Sequence, residues 1–290
     1  MPKIAVAIIH GVGKQDPNFA DDMMDELRSL FVKATNGEAA DSELVMKPIY
    51  WAPAIQNEED QLWGRLKDGG DLGYMKLRQF MVDFAGDAIA YQPTPNDRQI
   101  YDKVHGIFAD TLHDLSDEAG DRAPLCIISH SLGTVITCNY FYDLHQEFHA
   151  DTKKSFIGKH VLPKIGATPL ERGETLTLFY TMGSPIAVWS LRYNNPLFGA
   201  PIKVPSPLLS NHYPSLKGEW VNYYDEDDVI GYPLKTLNEA YNLAVKEDRQ
   251  VNVGGILTSW TPLSHTEYWT DSDVTKPIAA ALADMWRNLK

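Results

Sequence analysis

The stretch from Pro124 to Phe148 constrains the fold more than any other part of this chain. Pro124-Leu125-Cys126-Ile127-Ile128 is a continuous apolar run with polar flanks. Such a run fits a strand covered on both faces, as in a parallel sheet with helices on either side. Ser129-His130-Ser131-Leu132-Gly133 follows at once, and then a helical pattern from about Leu132 to Phe148 with Val135, Ile136, Tyr140 and Leu144 on one face. A strand that turns straight into a helix needs small residues two before and two after the central position, because the two backbones nearly touch there. Ser129 and Gly133 occupy those positions, with serine where glycine is usual.

The rest of the chain repeats the alternation. Lys3 to Ile9, Leu44 to Trp51, Thr175 to Met182, Trp220 to Tyr224 and Gln250 to Val253 read as strands. Asp16 to Lys33 carries apolar residues at three-to-four spacing, Asn96 to Leu115 is a further helical candidate, and Val274 to Leu289 closes the chain as a helix. Strands alternating with helices predict an α/β fold with a mostly parallel sheet, arranged as one domain over residues 1–290. Gln56 to Tyr91 is mixed and helical in places, and its apolar residues between Trp63 and Ile89 are read as core, with pocket cover or subunit pairing as alternatives. Ser184 to Ser215 breaks the alternation. It holds six of the 18 prolines, a density that excludes a regular helix or a central strand. A loop of that length is expected to be a lid, the alternative being a static surface excursion.

Composition removes whole classes of function. With 44% hydrophobic and 22% charged residues the chain is neither collagen-like nor disordered. Its formal charge of −13 and the lack of a basic run argue against nucleic acid, whose phosphates are bound by clustered Lys and Arg. The apolar run Ile4–Ile9 is shorter than a signal-peptide core, and nothing approaches the roughly 18 apolar residues of a membrane span. Two cysteines, Cys126 and Cys138, are too few for a disulfide framework and read as free thiols in a reducing compartment. A cytoplasmic location is expected.

Ser131 sits where a nucleophile elbow presents a hydroxyl at the carboxyl end of a sheet; a purely structural serine in the turn is the alternative. A serine nucleophile needs a histidine to take its proton and a carboxylate to orient that histidine. Of the histidines after Ser131, His145 and His149 lie on the helix leaving the turn, His160 in a charged connector and His212 in the proline-rich excursion. His265 remains, after the last strand-like segment and before the final helix. For the acid, the strand ending at Tyr224 runs into Asp225-Glu226-Asp227-Asp228-Val229-Ile230. Asp228 precedes an apolar pair that would anchor its turn, which leaves Asp225 and Asp227 nearer solvent; a solvated acidic loop and a calcium site are alternatives. An oxyanion needs two backbone N–H donors. Leu132, after the serine, supplies one, and the glycine turn His10-Gly11-Val12-Gly13 after the first strand supplies the other through Val12. His10 and Gly11 support that turn as Gly133 supports the elbow. The turn lacks the G-x-G-x-x-G or G-K-S/T pattern of a phosphate cradle.

Taken together, His10-Gly11-Val12-Gly13, the Ser129–Gly133 elbow, Met182-Gly183-Ser184-Pro185, Asp228-Val229-Ile230 and Ser264-His265 resemble the α/β-hydrolase-fold serine hydrolases of the lipase and esterase type. The resemblance implies an α/β-hydrolase fold with a proline-rich lid over 184–215, and hydrolysis of a small-molecule ester by Ser131, His265 and Asp228 without cofactor or metal. A thioesterase or lysophospholipase would use the same machinery, and a non-catalytic relative would bind a small ligand. Departures are Ser129 and the extra acids before Asp228. Acyl length, alcohol group and oligomeric state do not follow from the sequence.

Overall fold

The computed structural model describes residues 2–69, 73–150, 155–192, 199–254 and 265–290, with side chains of 57–59, 76, 77 and 80 left aside. Six parallel strands form one sheet: β1 (Ile4–Ile9), β2 (Leu44–Ile49), β3 (Leu125–His130), β4 (Leu176–Met182), β5 (Glu219–Asp225) and β6 (Glu247–Val251). Their order is β2-β1-β3-β4-β5-β6, with pairings such as Ile8↔Ile128, Ser129↔Thr181 and Tyr180↔Val221. Every residue of β1, β3 and β4 is buried, which explains why they read as continuous apolar runs.

The pleat divides these strands between two cores. Ile4, Val6, Ile8, Cys126 and Ile128 pack with α1 (Asp21–Ala34) and α9 (Ser272–Arg287) on one face. Ala5, Ala7, Ile9, Leu125 and Ile127 pack with α4 (Gln99–Ala119) and α5 (Leu132–Phe148) on the other. Helices therefore cover both faces of an α/β sheet. Each fully buried Ile or Val contributes about 1.5–3 kcal/mol relative to exposure, so burial on both faces is a main force holding the sheet together.

Strand order reverses between β1 and β3, the point where a crevice opens at the carboxyl ends of an open parallel sheet. The glycine turn leaves β1 there and Ser131 leaves β3 there.

Two expectations are corrected. Gln56 to Tyr91 forms two helices, α2 (Gln56–Asp68) and α3 (Met75–Tyr91), inserted between β2 and α4, but several of the apolar residues between Trp63 and Ile89 are not core. Leu62, Leu66, Tyr74, Met75, Met81 and Ile89 are exposed, the last at 75%. The pair is joined to the body at its end, where Tyr91 is fully buried and Asp87 receives the Gly13 N–H at 2.7 Å. The proline-rich stretch does form regular structure, in the single turns α6 (Ile186–Trp189) and α7 (Leu209–His212). Its described part has buried anchors in Ile186 and Leu209, and Trp189 and Ile202 line a cavity of about 290 Å³ beside α5 that contains neither Ser131 nor His265. Residues 193–198 of this stretch lie outside the described residues. A short helix α8 (Glu239–Ala244) precedes β6. Among the described residues no helix is long and apolar enough to cross a membrane.

Candidate active site

The elbow exists because neither strand nor helix yields at Ser131. Ser131 takes φ 52° and ψ −130°, a left-handed conformation that costs a non-glycine residue of order 1–3 kcal/mol. Its N–H donates to the Met182 carbonyl at 2.9 Å, tying the turn to β4. A Cβ at Gly133 would lie 2.6 Å from the His10 carbonyl oxygen, so the first turn of α5 can approach the end of β1 only with glycine there. Serine is tolerated at position 129 because its buried hydroxyl bonds Thr137 of α5 at 2.9 Å.

Three side chains from three distant segments meet at this point. His265 Nε2 lies 2.8 Å from Ser131 Oγ, and His265 Nδ1 lies 2.9 Å from both carboxylate oxygens of Asp228. The carboxylate fixes the proton on Nδ1, so Nε2 is the acceptor that faces the serine hydroxyl. All three residues are buried, Ser131 completely. Burial alone would raise the Asp228 pKa, but His265, the Ile230 N–H at 2.9 Å and the Tyr268 hydroxyl at 2.9 Å together hold it below the ordinary carboxylate value. Tyr268 was not singled out in the sequence. Its oxygen also accepts the Asp225 N–H at 2.9 Å, so it joins the strand end to the carboxylate. Only its place three residues after His265 could have pointed to it.

The acidic turn is arranged differently from the expectation. Asp225 is not near solvent but buried, and accepts the N–H groups of Val253 at 2.7 Å and Asp227 at 2.8 Å. Buried N–H groups need acceptors, and Asp225 lies where the chain beyond β6 passes β5. Val229 is 54% exposed rather than an anchor; Ile230 is buried.

Gly11 packs on the serine: a Cβ there would come within 2.3 Å of Ser131 Cβ and 2.9 Å of Oγ. Val12 follows Gly11 in that turn and Leu132 follows Ser131 in the chain; among the described residues no hydrogen bond is recorded from the N–H of either. His10 is a structural hub. Its Nε2 accepts from the Trp51 N–H at 3.0 Å and the Ala52 N–H at 3.3 Å, its Nδ1–H donates to the Gly11 carbonyl at 2.8 Å, and the Trp51 ring stacks on it at 5.1 Å. Burial lowers its pKa to about 3, against the bond to Gly11. His145, His149 and His212 stand apart from this cluster; His212 pairs with Glu174.

In front of His265 lies a polar cavity of about 400 Å³, bordered by Val12, Gly13, Asp83, His130 and Trp269. Burial and the neighbouring Asp60 push the Asp83 pKa up.

No protein-family model matches the chain, and no curated protein sequence matches it. Among solved structures it is similar to the esterase domain of a Rhodothermus marinus protein, at 9% identity with a TM-score of 0.33, over 99% of this chain and 88% of that one. A likeness of that size bears on neither the ancestry nor the chemistry of this chain, which rest on the side chains above.

Proposed function

We propose that the protein is a serine hydrolase of carboxylic esters, acting through an acyl-enzyme. The observation that carries this reading is the hydrogen-bonded series Ser131 Oγ, His265 and Asp228 at 2.8 and 2.9 Å. Ser131 Oγ attacks the ester carbonyl carbon while its proton passes to His265 Nε2. Val12 and Leu132 N–H groups hold the negative charge on the carbonyl oxygen. The bond from acyl carbon to alkoxy oxygen then breaks, and His265 returns the proton to the departing alcohol. Water enters, gives a proton to His265 and bonds the acyl carbon; Ser131 regains the proton as the carboxylic acid leaves. Asp228 stays ionised throughout and steadies the imidazolium, in keeping with its lowered pKa.

The reaction as written uses these side chains and water. A reducing compartment is proposed from Cys126 and Cys138, both free thiols. The test is a fluorophosphonate, which bonds an activated serine oxygen through phosphorus with loss of fluoride. Modification confined to Ser131 and absent after His265→Ala supports the reading; an unmodified protein, or modification elsewhere, overturns it. Esters and thioesters of the same acyl group, compared side by side, separate the esterase from a thioesterase.

A further inference from the structure

The cavity before His265 carries unbalanced charge. Asp16, Asp22 and Asp83 line it, against Lys14 as the one cationic side chain among the described lining residues. The same cavity presents two aromatic rings, Phe19 and Trp269, packed edge to face at 5.5 Å. His130 supplies an independent sign that a ligand belongs there. It is 5% exposed and lines the cavity. Its Nε2 is bound to the His265 carbonyl oxygen at 2.6 Å and must carry the proton, which leaves Nδ1 as an acceptor with no partner among the described residues. That nitrogen faces the glycine turn, since a Cβ on Gly11 would lie 3.2 Å from it.

Carboxylates and aromatic rings share one property: each attracts a positively charged group, and the imidazole acceptor adds a partner for an ammonium that carries N–H. A cation over an aromatic face gains about 0.5–2 kcal/mol, and carboxylates add Coulomb attraction. An acid group would meet three like charges, and a long acyl chain would leave the carboxylates desolvated and unpaired. The formal charge of −13 draws cations toward the molecule as a whole.

We infer that this cavity binds an ammonium group, so that the substrate is a small carboxylic ester bearing a cation on its acyl or alcohol part. This rests on the hydrolase reading for the reaction, but not for the binding, and the two are tested apart. Tetramethylammonium and its uncharged counterpart neopentane-type alcohol, neopentanol, are titrated calorimetrically into Ser131→Ala protein, which performs no chemistry. Tetramethylammonium is expected to bind at least about tenfold tighter, with the preference reduced to less than threefold in Asp83→Asn and, as a second variant at the exposed start of α1, weakened in Asp22→Asn. With active protein, the kcat/KM ratio of acetylcholine to 3,3-dimethylbutyl acetate is expected to exceed about tenfold and to fall in the same variants. Betaine esters of a neutral alcohol place the cation on the acyl side and show which half occupies the cavity. Equal binding of the two probes, or a preference unchanged in both Asp variants, overturns the inference whatever the enzyme hydrolyses. Failure of Ser131 to react with fluorophosphonate overturns the hydrolase reading alone.

Discussion

His130 Nε2–H donates to the main-chain oxygen of His265 at 2.6 Å, so the residue before the serine holds the backbone of the histidine that faces it. Burial, with His265 nearby as the next cause, lowers the His130 pKa to about 3, and its ring stays neutral and fixed near pH 7. Ser131 and His265 thus share one mounting. His130→Ala is expected to lower kcat by about 10²-fold, since displacements near 1 Å cost that much, and to slow fluorophosphonate labelling in step. His130→Gln, whose amide can reach the same carbonyl, should recover most of the loss. Full activity in the alanine variant would remove the positioning role.

Asp225 and Asp228 are both buried, yet they do different things. Asp228 faces His265, and its conversion to Asn is expected to cost about 10⁴-fold in kcat with the fold intact. Asp225 holds backbone N–H groups. Asp225→Asn should instead lower stability by about 1–3 kcal/mol, the penalty of a weakened buried acceptor, while the folded fraction keeps its turnover. Urea melts and kcat, measured on both variants, separate the two roles.

Gly183 has φ +54°, and a Cβ there would sit 2.8 Å from Asp228 Oδ2 and 3.0 Å from His265 Nδ1. Gly183→Ala is therefore expected to push the carboxylate and imidazole apart and cut kcat by at least about 10²-fold. Circular dichroism should show the sheet intact. A fully active variant would mean that this contact does not hold the pair.

Acid should destabilise the protein well before carboxylates protonate. Burial lowers His10 and His130 to about 3, and burial with Arg98 does the same to His105, all from 6.5. Between those values the unfolded chain binds more protons, so their stability is present above pH 6.5 and lost as pH falls. Asp143 opposes them. Burial raises it from 3.8 to about 7, against the bond from the Tyr101 hydroxyl, so the folded form holds an extra proton between those values. The net is about two protons taken up on unfolding near pH 5, a slope of about 3 kcal/mol per pH unit. Urea midpoints between pH 7 and pH 4.5 check it; a flat profile would contradict the buried neutral histidines.

What could be read from the sequence was whatever depends on local pattern. β3, the elbow and α5 were legible because a buried strand, small residues and a helical period stand next to one another. His265 stands out in the sequence by its place between the last strand-like segment and the final helix. The acid was harder, since four adjacent residues in an acidic turn differ only in where later segments return. Asp228 stands out in sequence because it precedes Val229 and Ile230, yet Val229 is exposed, and what places Asp228 is contact with His265, Tyr268 and the Ile230 N–H. Asp225 owes its burial to Val253, beyond β6, a contact no local pattern reveals. The apolar residues of α2 and α3 look like core in sequence for a similar reason, and only the outward placement of most of them leaves them exposed.

The central claim is that Ser131 performs covalent catalysis. Steady-state hydrolysis of p-nitrophenyl acetate by wild-type protein and by Ser131→Ala, with matching circular dichroism, tests it most directly. The account predicts a loss on the order of 10⁶-fold in kcat, as expected when a nucleophile that works with its base is removed. A Ser131→Ala protein hydrolysing the ester within tenfold of wild type would contradict it.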